Sequence, residues 1–342
     1  MKTILFCNLP YAFSILKPLA DELDRLGYEY IWFVPKDFVG QFLYKNMKYT
    51  SIIEDLKMFK SDAIFAPGND VPYWIRGLKV QIFHGLAGEK KGHFKIRDYF
   101  DLYLTQGPYF SDKFMALAKK HKNFNVTETG WCKLDKLYSI SQETKRKKKN
   151  LLKQYSVKHI ILYAPTFSPS LTSAKKLKHI IKKLASSKDI LCIIKFHDKM
   201  NENIIEDYRA LNNSNTFVAK EDDITLYLQI ADLMLSDTSS VVYEFILLDK
   251  PVITLDSKSE NITWSNHKDT KNIYEDILDT LKGHDIHANA RQETIAKYHP
   301  YSDGKSASRM IKSAKEHIRT YGVPTERKIP WHRKLKLKRL YN

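Results

Sequence analysis

Cysteine, acidic residues and long apolar runs are what this 342-residue chain has little of. Its three cysteines, Cys7, Cys132 and Cys192, lie far apart, with no Cys-x-x-Cys pair and no Cys/His ligand spacing. That excludes a disulfide scaffold and a structural zinc site and fits a reducing compartment. No stretch approaches the roughly 20 apolar residues that span a bilayer, and the run Ile4 to Cys7 is too short for the core of a signal peptide. The expectation is a cytoplasmic protein, free or lying on the inner face of the membrane. With 39 acidic residues against 56 lysines and arginines, the formal net charge is +17, a field that attracts nucleic acid, anionic lipid or phosphorylated substrates. Nucleic-acid signatures are missing too, and the aromatics do not alternate with the basic runs outside the tail, so no nucleic-acid partner is expected.

What is present is a core. A hydrophobic fraction of 43% and an aromatic fraction of 12% exclude disorder as an overall description. Short β-rich runs alternate with helical patterns, the signature of βα units and parallel sheets. Strands are predicted at Thr3 to Cys7, Tyr30 to Val34, Ala63 to Ala66, Val80 to Phe83, Leu102 to Thr105 and Val126 to Thr129. A second series follows at Ile160 to Ala164, Ile190 to Phe196, Thr216 to Ala219, Leu233 to Leu235 and Val252 to Leu255, and a long helix at Lys305 to Tyr321. Two such series predict two doubly wound α/β domains, residues 1–150 and 151–325, with a basic tail at 326–342. The boundary is placed at the lysine run Lys145 to Lys149, read as a solvated linker or helix face.

In an open parallel sheet the ligand sits outside the carboxyl ends of the strands, so the residues just after each apolar run are the candidates. Three places qualify: His84-Gly85, followed by a basic loop from Gly88 to His93; His197-Asp198, with Lys195 at the strand end; and Ser236-Asp237-Thr238-Ser239-Ser240 ahead of a helical stretch, Val241 to Leu248. Hydroxyls at a helix start offer donors and free N–H groups to a phosphate. Taken singly, a capping serine and a hydrogen-bonded structural histidine are the commoner explanations. The recurrence of such residues at equivalent strand ends of both domains favours a site. Glu221-Asp222-Asp223 reads as a helix cap and not as a metal-binding Asp-x-Asp.

The segment SDTSSVVYEFILLDKPVITL, residues 236–255, closely resembles the signature of the CDP-glycerol glycerophosphotransferases that build teichoic acids and related capsular polymers. Phe83-His84-Gly85, the YAPTF of residues 163–167, Lys195-Phe196-His197-Asp198 and the SDGKSASRMI of residues 302–311 match further elements of that family in order. Phe83 stands where the family has Trp, Asp198 where it has Pro, and TGWCKLD at 129–135 replaces a Gly-x-Pro-Arg-x-Asp pattern. The resemblance implies a GT-B-like α/β fold, two Rossmann-like domains facing each other across a cleft. It also implies transfer of a polyol phosphate, glycerol phosphate foremost, from CDP-glycerol or CDP-ribitol to a hydroxyl of a lipid-linked or polymeric glycan, releasing CMP. His84 is then the base and His197 stabilises the leaving phosphate, with the reverse assignment open. Thr238, Ser239 and Ser240 would hold the pyrophosphate, Glu244 the ribose, and Lys195 and Lys305 would lie near phosphate, while Gly85 and Asp237 shape the loops. No cofactor and no metal are required.

Two other classes compete: another GT-B enzyme, either a sugar-nucleotide glycosyltransferase or a UDP-sugar 2-epimerase, and a polyanion binder without catalysis. The tail from Trp331 to Asn342 alternates basic and apolar residues, which suits an anionic membrane surface and equally a disordered basic end or a solvated helix packed on a neighbour.

Overall fold

The computed structural model describes every residue except 87–92, 212–214, 221–223 and 342. The basic stretch from Gly88 to Gly92 and the acidic Glu221-Asp222-Asp223 therefore lie outside the described residues. Contacts divide the chain into one unit made of Met1–Lys136 with Lys297–Asn342 and a second made of Leu137–Ala296.

The first unit holds a seven-stranded sheet in the order β3-β2-β1-β4-β5-β6-β7, parallel throughout. Its strands are β1 (Thr3–Phe6), β2 (Tyr30–Phe33), β3 (Tyr49–Thr50), β4 (Ala63–Ala66), β5 (Leu78–Gln81), β6 (Leu102–Thr105) and β7 (Asn125–Glu128). β1, β4, β5 and β6 are buried along their whole length, β1, β4 and β6 as runs of apolar or β-branched residues and β5 with Lys79 and Gln81 buried among them. The order of strand addition reverses between β1 and β4, where the chain has run outward to β3 and returned. Two sequence expectations change here. The short β3 is an addition, and β5 ends at Gln81, so Phe83 and His84 belong to the loop after the strand.

The same unit is completed by the far end of the chain. The helix Ser306–Tyr321 starts on the Asp135 carboxylate, which accepts from the backbone N–H groups of Ser306 at 2.8 Å and Ala307 at 2.7 Å. Beyond it, Arg327 forms a buried pair with Asp101 at 2.6 Å and donates to the Gly77 carbonyl at 2.9 Å. Asp101 also accepts from the backbone N–H of Lys79 at 2.7 Å. The fully buried Lys79 ammonium turns to the carbonyls of Ile75 and Gly77, and burial pushes its pKa well down. The tail is a helix, Trp331–Tyr341, packed on the carboxyl ends of β1 and β2. Leu337 is fully buried, and the Tyr341 ring lies 5.5 Å from that of Phe6 and 6.3 Å from that of Phe33. Arg333 pairs with Asp98, and Lys336 with Asp70.

The second unit has a six-stranded parallel sheet, β10-β9-β8-β11-β12-β13. Its strands are β8 (His159–Tyr163), β9 (Ile190–Ile194), β10 (Thr216–Val218), β11 (Leu233–Ser236), β12 (Val252–Leu255) and β13 (Ser265–His267). Ile161, Leu177, Ile181, Ile190, Ile194, Leu235 and Ile253 make its core with Cys192. All three cysteines are free and buried. Here the reversal lies between β8 and β11.

The contact division replaces the expected boundaries at 150 and 325. Lys145 to Lys149 sit inside a surface helix, Gln142–Gln154, of the second unit, capped by the Ser141 hydroxyl and tied to that unit by Lys148 to Asp232. The lysine run is therefore a solvated helix face, and the chain crosses over at Lys136. The helix expected at 305–321 falls in the first unit because its N-terminal amides find their acceptor on Asp135. A packed tail makes a sharp contrast testable by urea denaturation. Leu337→Ala should cost about 2–5 kcal/mol, the range for emptying a buried leucine site, whereas Leu335→Ala, 46% exposed, should stay within about 0.5 kcal/mol. Equal effects would mean the tail does not pack as described.

Candidate active site

Each unit presents a histidine at a strand end, and each has its ring nitrogens set by a neighbouring backbone group. In the first unit β5 continues through Ile82, whose N–H donates to the Ala66 carbonyl at 3.1 Å, and then turns sharply. Phe83 makes the turn with φ of 61°, a left-handed conformation that costs a residue with a Cβ about 1–2 kcal/mol. Its ring compensates by burial: it stacks on His93 at 5.3 Å and packs on Phe114 at 5.0 Å. The turn leaves His84 exposed, with its ring 5.4 Å from that of Tyr11. His84 Nδ1 lies 3.2 Å from the Pro67 carbonyl. A carbonyl only accepts, so Nδ1 carries the proton and the lone pair of neutral His84 is on Nε2.

Around this loop the polar side chains are spent on backbone. Gln81 Nε2 donates to the same Pro67 carbonyl at 3.1 Å, Gln106 Nε2 to the Gly85 carbonyl at 3.1 Å, and the Trp131 indole N–H to the Phe83 carbonyl at 3.4 Å. Trp131 is in turn fixed through its backbone N–H, which donates to His299 Nε2 at 2.9 Å. Next to it, Arg309 donates to the Thr129 carbonyl at 2.7 Å and pairs with Asp303 at 2.8 Å. Gly130 has φ of 80°, and a Cβ there would stand 2.5 Å from Ser306 Oγ. The TGWCKLD and SDGKSASR segments thus form one knot that supports the His84 loop. Lys305 lies in this first unit, exposed at the start of the helix Ser306–Tyr321.

In the second unit His197 follows β9. Its Nδ1 accepts from the backbone N–H of Lys199 at 3.1 Å, so neutral His197 carries its proton on Nε2, the opposite arrangement to His84. Burial, with Lys199 and Lys195 nearby, holds its pKa below the usual value and favours the neutral ring, Asp198 opposing. The ring packs on Phe167 of the YAPTF segment at 4.5 Å. Lys195 is buried, and its ammonium donates to the Phe196 carbonyl at 2.7 Å with Asp198 at 4.0 Å. Its ammonium is thus engaged with its own loop, which distinguishes it from an open phosphate neighbour.

At the reversal between β8 and β11, Asp237 is fully buried, and its carboxylate accepts from Thr166 N–H at 2.8 Å and from Ser173 N–H and Oγ at 2.7 Å each. Burial raises its pKa against those three donors. Thr238 Oγ1 accepts from the Lys258 N–H at 3.0 Å. Ser240 precedes the helix Val241–Ile246 in helical backbone, with no side-chain capping bond. The capping explanation for the serines is thereby replaced: the Ser240 hydroxyl is exposed and does not cap the helix. The helix is only six residues long, so hydroxyls and first-turn N–H groups, more than a macrodipole, are what the site offers an anion. Glu244 lies in that first turn, half-buried. The LLDKP element is structural. The Lys250 ammonium donates to the carbonyls of Leu228, Gln229 and Ala231 at 2.6–2.9 Å, with its pKa lowered to about 8 by burial. Asp249, at φ of 56°, accepts from Arg291 at 2.9 Å.

Sequence reasoning missed Gln81, Gln106, Trp131 and Asp135 as supports. Gln106 alone carried the strand-end signal used for the histidines, since it follows the apolar run of β6. Among the described residues no group of three or more His, Cys, Asp or Glu side chains is arranged to hold a metal ion. No described helix is long and apolar enough to cross a membrane.

Residues 79–314 match the family described as CDP-Glycerol:Poly(glycerophosphate) glycerophosphotransferase. The teichoic acid glycerol-phosphate primase of Bacillus spizizenii is 30% identical over 178 residues, 46% of this chain and 44% of the primase, so the chain matches less than half the length of that relative. The teichoic acid poly(glycerol phosphate) polymerase of the same organism is 26% identical over 274 residues, 70% of this chain and 68% of the polymerase. Among solved structures, the wall teichoic acid polymerase TagF superposes with a TM-score of 0.64 at 14% identity, covering 93% of this chain and 90% of that one. That likeness shows the fold, which is α/β and GT-B-like.

The knot generates a pH prediction. Burial lowers the His299 pKa from 6.5 to about 4. Below pH 6.5 the unfolded chain gains a proton that the folded one refuses until about pH 4, so stability is full above that window and falls through it. Between pH 7 and pH 5 the loss should be about 2 kcal/mol, read by urea denaturation. In His299→Gln that part of the slope should vanish, and an unchanged slope would refute a buried neutral His299.

Proposed function

The chain belongs to the CDP-glycerol:poly(glycerophosphate) glycerophosphotransferase family, and on that footing we propose that it transfers a polyol phosphate from a CDP-polyol to a hydroxyl of a polymeric glycan in teichoic-acid-like polymer synthesis. Glycerol phosphate is the group favoured over ribitol phosphate, because both relatives described above are named for glycerol phosphate. The observation that carries the reading is the pair of histidines with opposite tautomers, His84 open at the Nε2 lone pair and His197 offering Nε2–H.

The acceptor oxygen attacks the phosphorus that bears the polyol, a new P–O bond forms, and the P–O bond to CMP breaks. His84 Nε2 takes the hydroxyl proton, a role for which an imidazole near neutrality is suited. His197 Nε2–H donates to the departing CMP phosphate, whose negative charge is the other requirement of phosphoryl transfer. Ser239 and Ser240 supply hydroxyls to the pyrophosphate, and Glu244 accepts from ribose hydroxyls. Lys305 is a candidate phosphate neighbour by virtue of its exposure. No step of this scheme calls on a metal or a cofactor.

The tail supports a second element of the reading, work at the anionic cytoplasmic surface of the membrane beside a lipid-linked acceptor. With Leu337 turned inward, Trp331 (73% exposed), Leu335 and Leu340 face outward with Lys338 and Arg339. That mixture fits a headgroup zone in which each cation contributes about 1 kcal/mol. Removing residues 328–342 would also take away buried Ile329 and Leu337, so point changes are the cleaner probe.

Transfer is tested by CMP release from CDP-glycerol with a glycerol-phosphate oligomer as acceptor. His84→Ala and His197→Ala should each lower turnover by at least about 10²-fold, as loss of a general acid or base does, with thermal unfolding unchanged. Wild-type turnover in either variant removes that histidine from the chemistry. For the membrane, Trp331→Ser combined with Arg339→Ser should reduce co-sedimentation with phosphatidylglycerol vesicles and its salt sensitivity. Undiminished binding would assign any attachment to another surface.

A further inference from the structure

We propose that Trp131, Gln106 and Gln81 are positioning residues for His84, which hold its loop in one conformation and its ring in the Nδ1-protonated tautomer. The inference rests on the reading of His84 as the base and goes beyond it to the residues that make it one.

Phe83 adopts a left-handed backbone, a conformation that persists in a bulky residue only when its surroundings over-determine it. Three side chains from separate places in the chain do so. Trp131, 2% exposed, donates its indole N–H to the Phe83 carbonyl, on the near side of His84. Gln106, fully buried, donates to the Gly85 carbonyl on the far side. Gln81, 3% exposed, donates to the Pro67 carbonyl, the group that His84 Nδ1–H itself contacts. The peptide group that precedes the histidine, the carbonyl of the residue that follows it and the acceptor that selects its tautomer are thus each held by a buried donor.

The direction of these bonds gives them a function. Because the two glutamine NH₂ groups meet carbonyls, which only accept, their amides cannot be flipped without loss of the bond. An amide fixed in this way keeps the Pro67 and Gly85 carbonyls from turning. If the loop relaxed, His84 Nδ1 would leave the Pro67 carbonyl, the other neutral tautomer would become populated, and Nε2 would then carry a proton and could not act as a base. A base displaced by even an ångström also loses its alignment with the acceptor hydroxyl.

The test uses the full chain with Trp131→Phe, which keeps a ring and removes the N–H, and separately Gln106→Met, which keeps the length and removes the donor. The expected result is a fall in kcat for CMP release of roughly ten- to a hundredfold, with the KM for CDP-glycerol little changed. Nitrogen NMR of the His84 ring should show one Nδ1-protonated tautomer in the wild type and a mixture in the variants. Should Trp131→Phe fail to fold by circular dichroism, Gln106→Met decides. Wild-type kcat in the folded variants, or a His84 ring that remains wholly Nδ1-protonated in them, would overturn the proposal. A wild-type protein that releases no CMP would instead overturn the transferase reading, while the NMR spectra would still decide whether these residues hold the ring.

Discussion

The first unit is built from two stretches of chain that lie far apart in sequence, and the Asp135 carboxylate sets where the second of them starts its long helix against the first. A helix begins with N–H groups that have no partner within it, and for the helix Ser306–Tyr321 two of these are met by Asp135. Burial works against the charge, raising the carboxyl pKa, while those two amides, the Ser306 hydroxyl and Arg309 pull it back. The consequences spread in both directions. Downstream, the chain is delivered to Arg327 and Asp101 and then to the helix Trp331–Tyr341 on the sheet. Upstream, Thr129 and Trp131 are pinned by Arg309 and His299, and Trp131 reaches the carbonyl of Phe83. A contact remote from His84 in sequence therefore helps determine where that ring stands.

Hydrogen-bond direction distinguishes the two histidines where their sequence contexts do not. Each follows an apolar strand and a phenylalanine, Phe83-His84 and Phe196-His197. One Nδ1 faces a carbonyl and the other an amide N–H, and since a carbonyl only accepts and an N–H only donates, the two neutral rings expose opposite chemistry at Nε2. The division of labour assigned under the proposed function follows from this difference.

Much of the motif sequence that carries the family resemblance is engaged in hydrogen bonds that hold the fold. Lys250 closes the end of the helix Thr225–Ile230 through three carbonyls, Asp237 fastens the loop after β8, and Lys195 secures its own strand end. Buried charges of this kind tolerate little change, because removing one partner strands the other without solvent. The candidates for chemistry that remain are fewer: His84, His197 and the hydroxyls ahead of Val241.

The alternation of apolar runs was enough to place most strands and both doubly wound sheets, since burial on two faces demands that pattern wherever it occurs. Strand ends marked His84, His197 and the serine cluster for the same reason: parallel sheets bring all their carboxyl ends to one edge. The two-residue β3 and the polar β13 escaped, having too few apolar residues to leave a period. Asp135 read only as the last residue of a motif that departs from its pattern elsewhere, and Gln106 as one polar residue after a strand, because neither the amides of a helix 171 residues further on nor the carbonyl of a turn after another strand can be seen from local composition. The local pattern was enough for the layers and for the strand ends that carry the candidate residues. Tertiary structure decided the course of the chain after Lys136, the return of the C-terminal helices to the first unit, and the tautomer of each histidine. Those depend on which donor meets which acceptor in space, a pairing that no local period records.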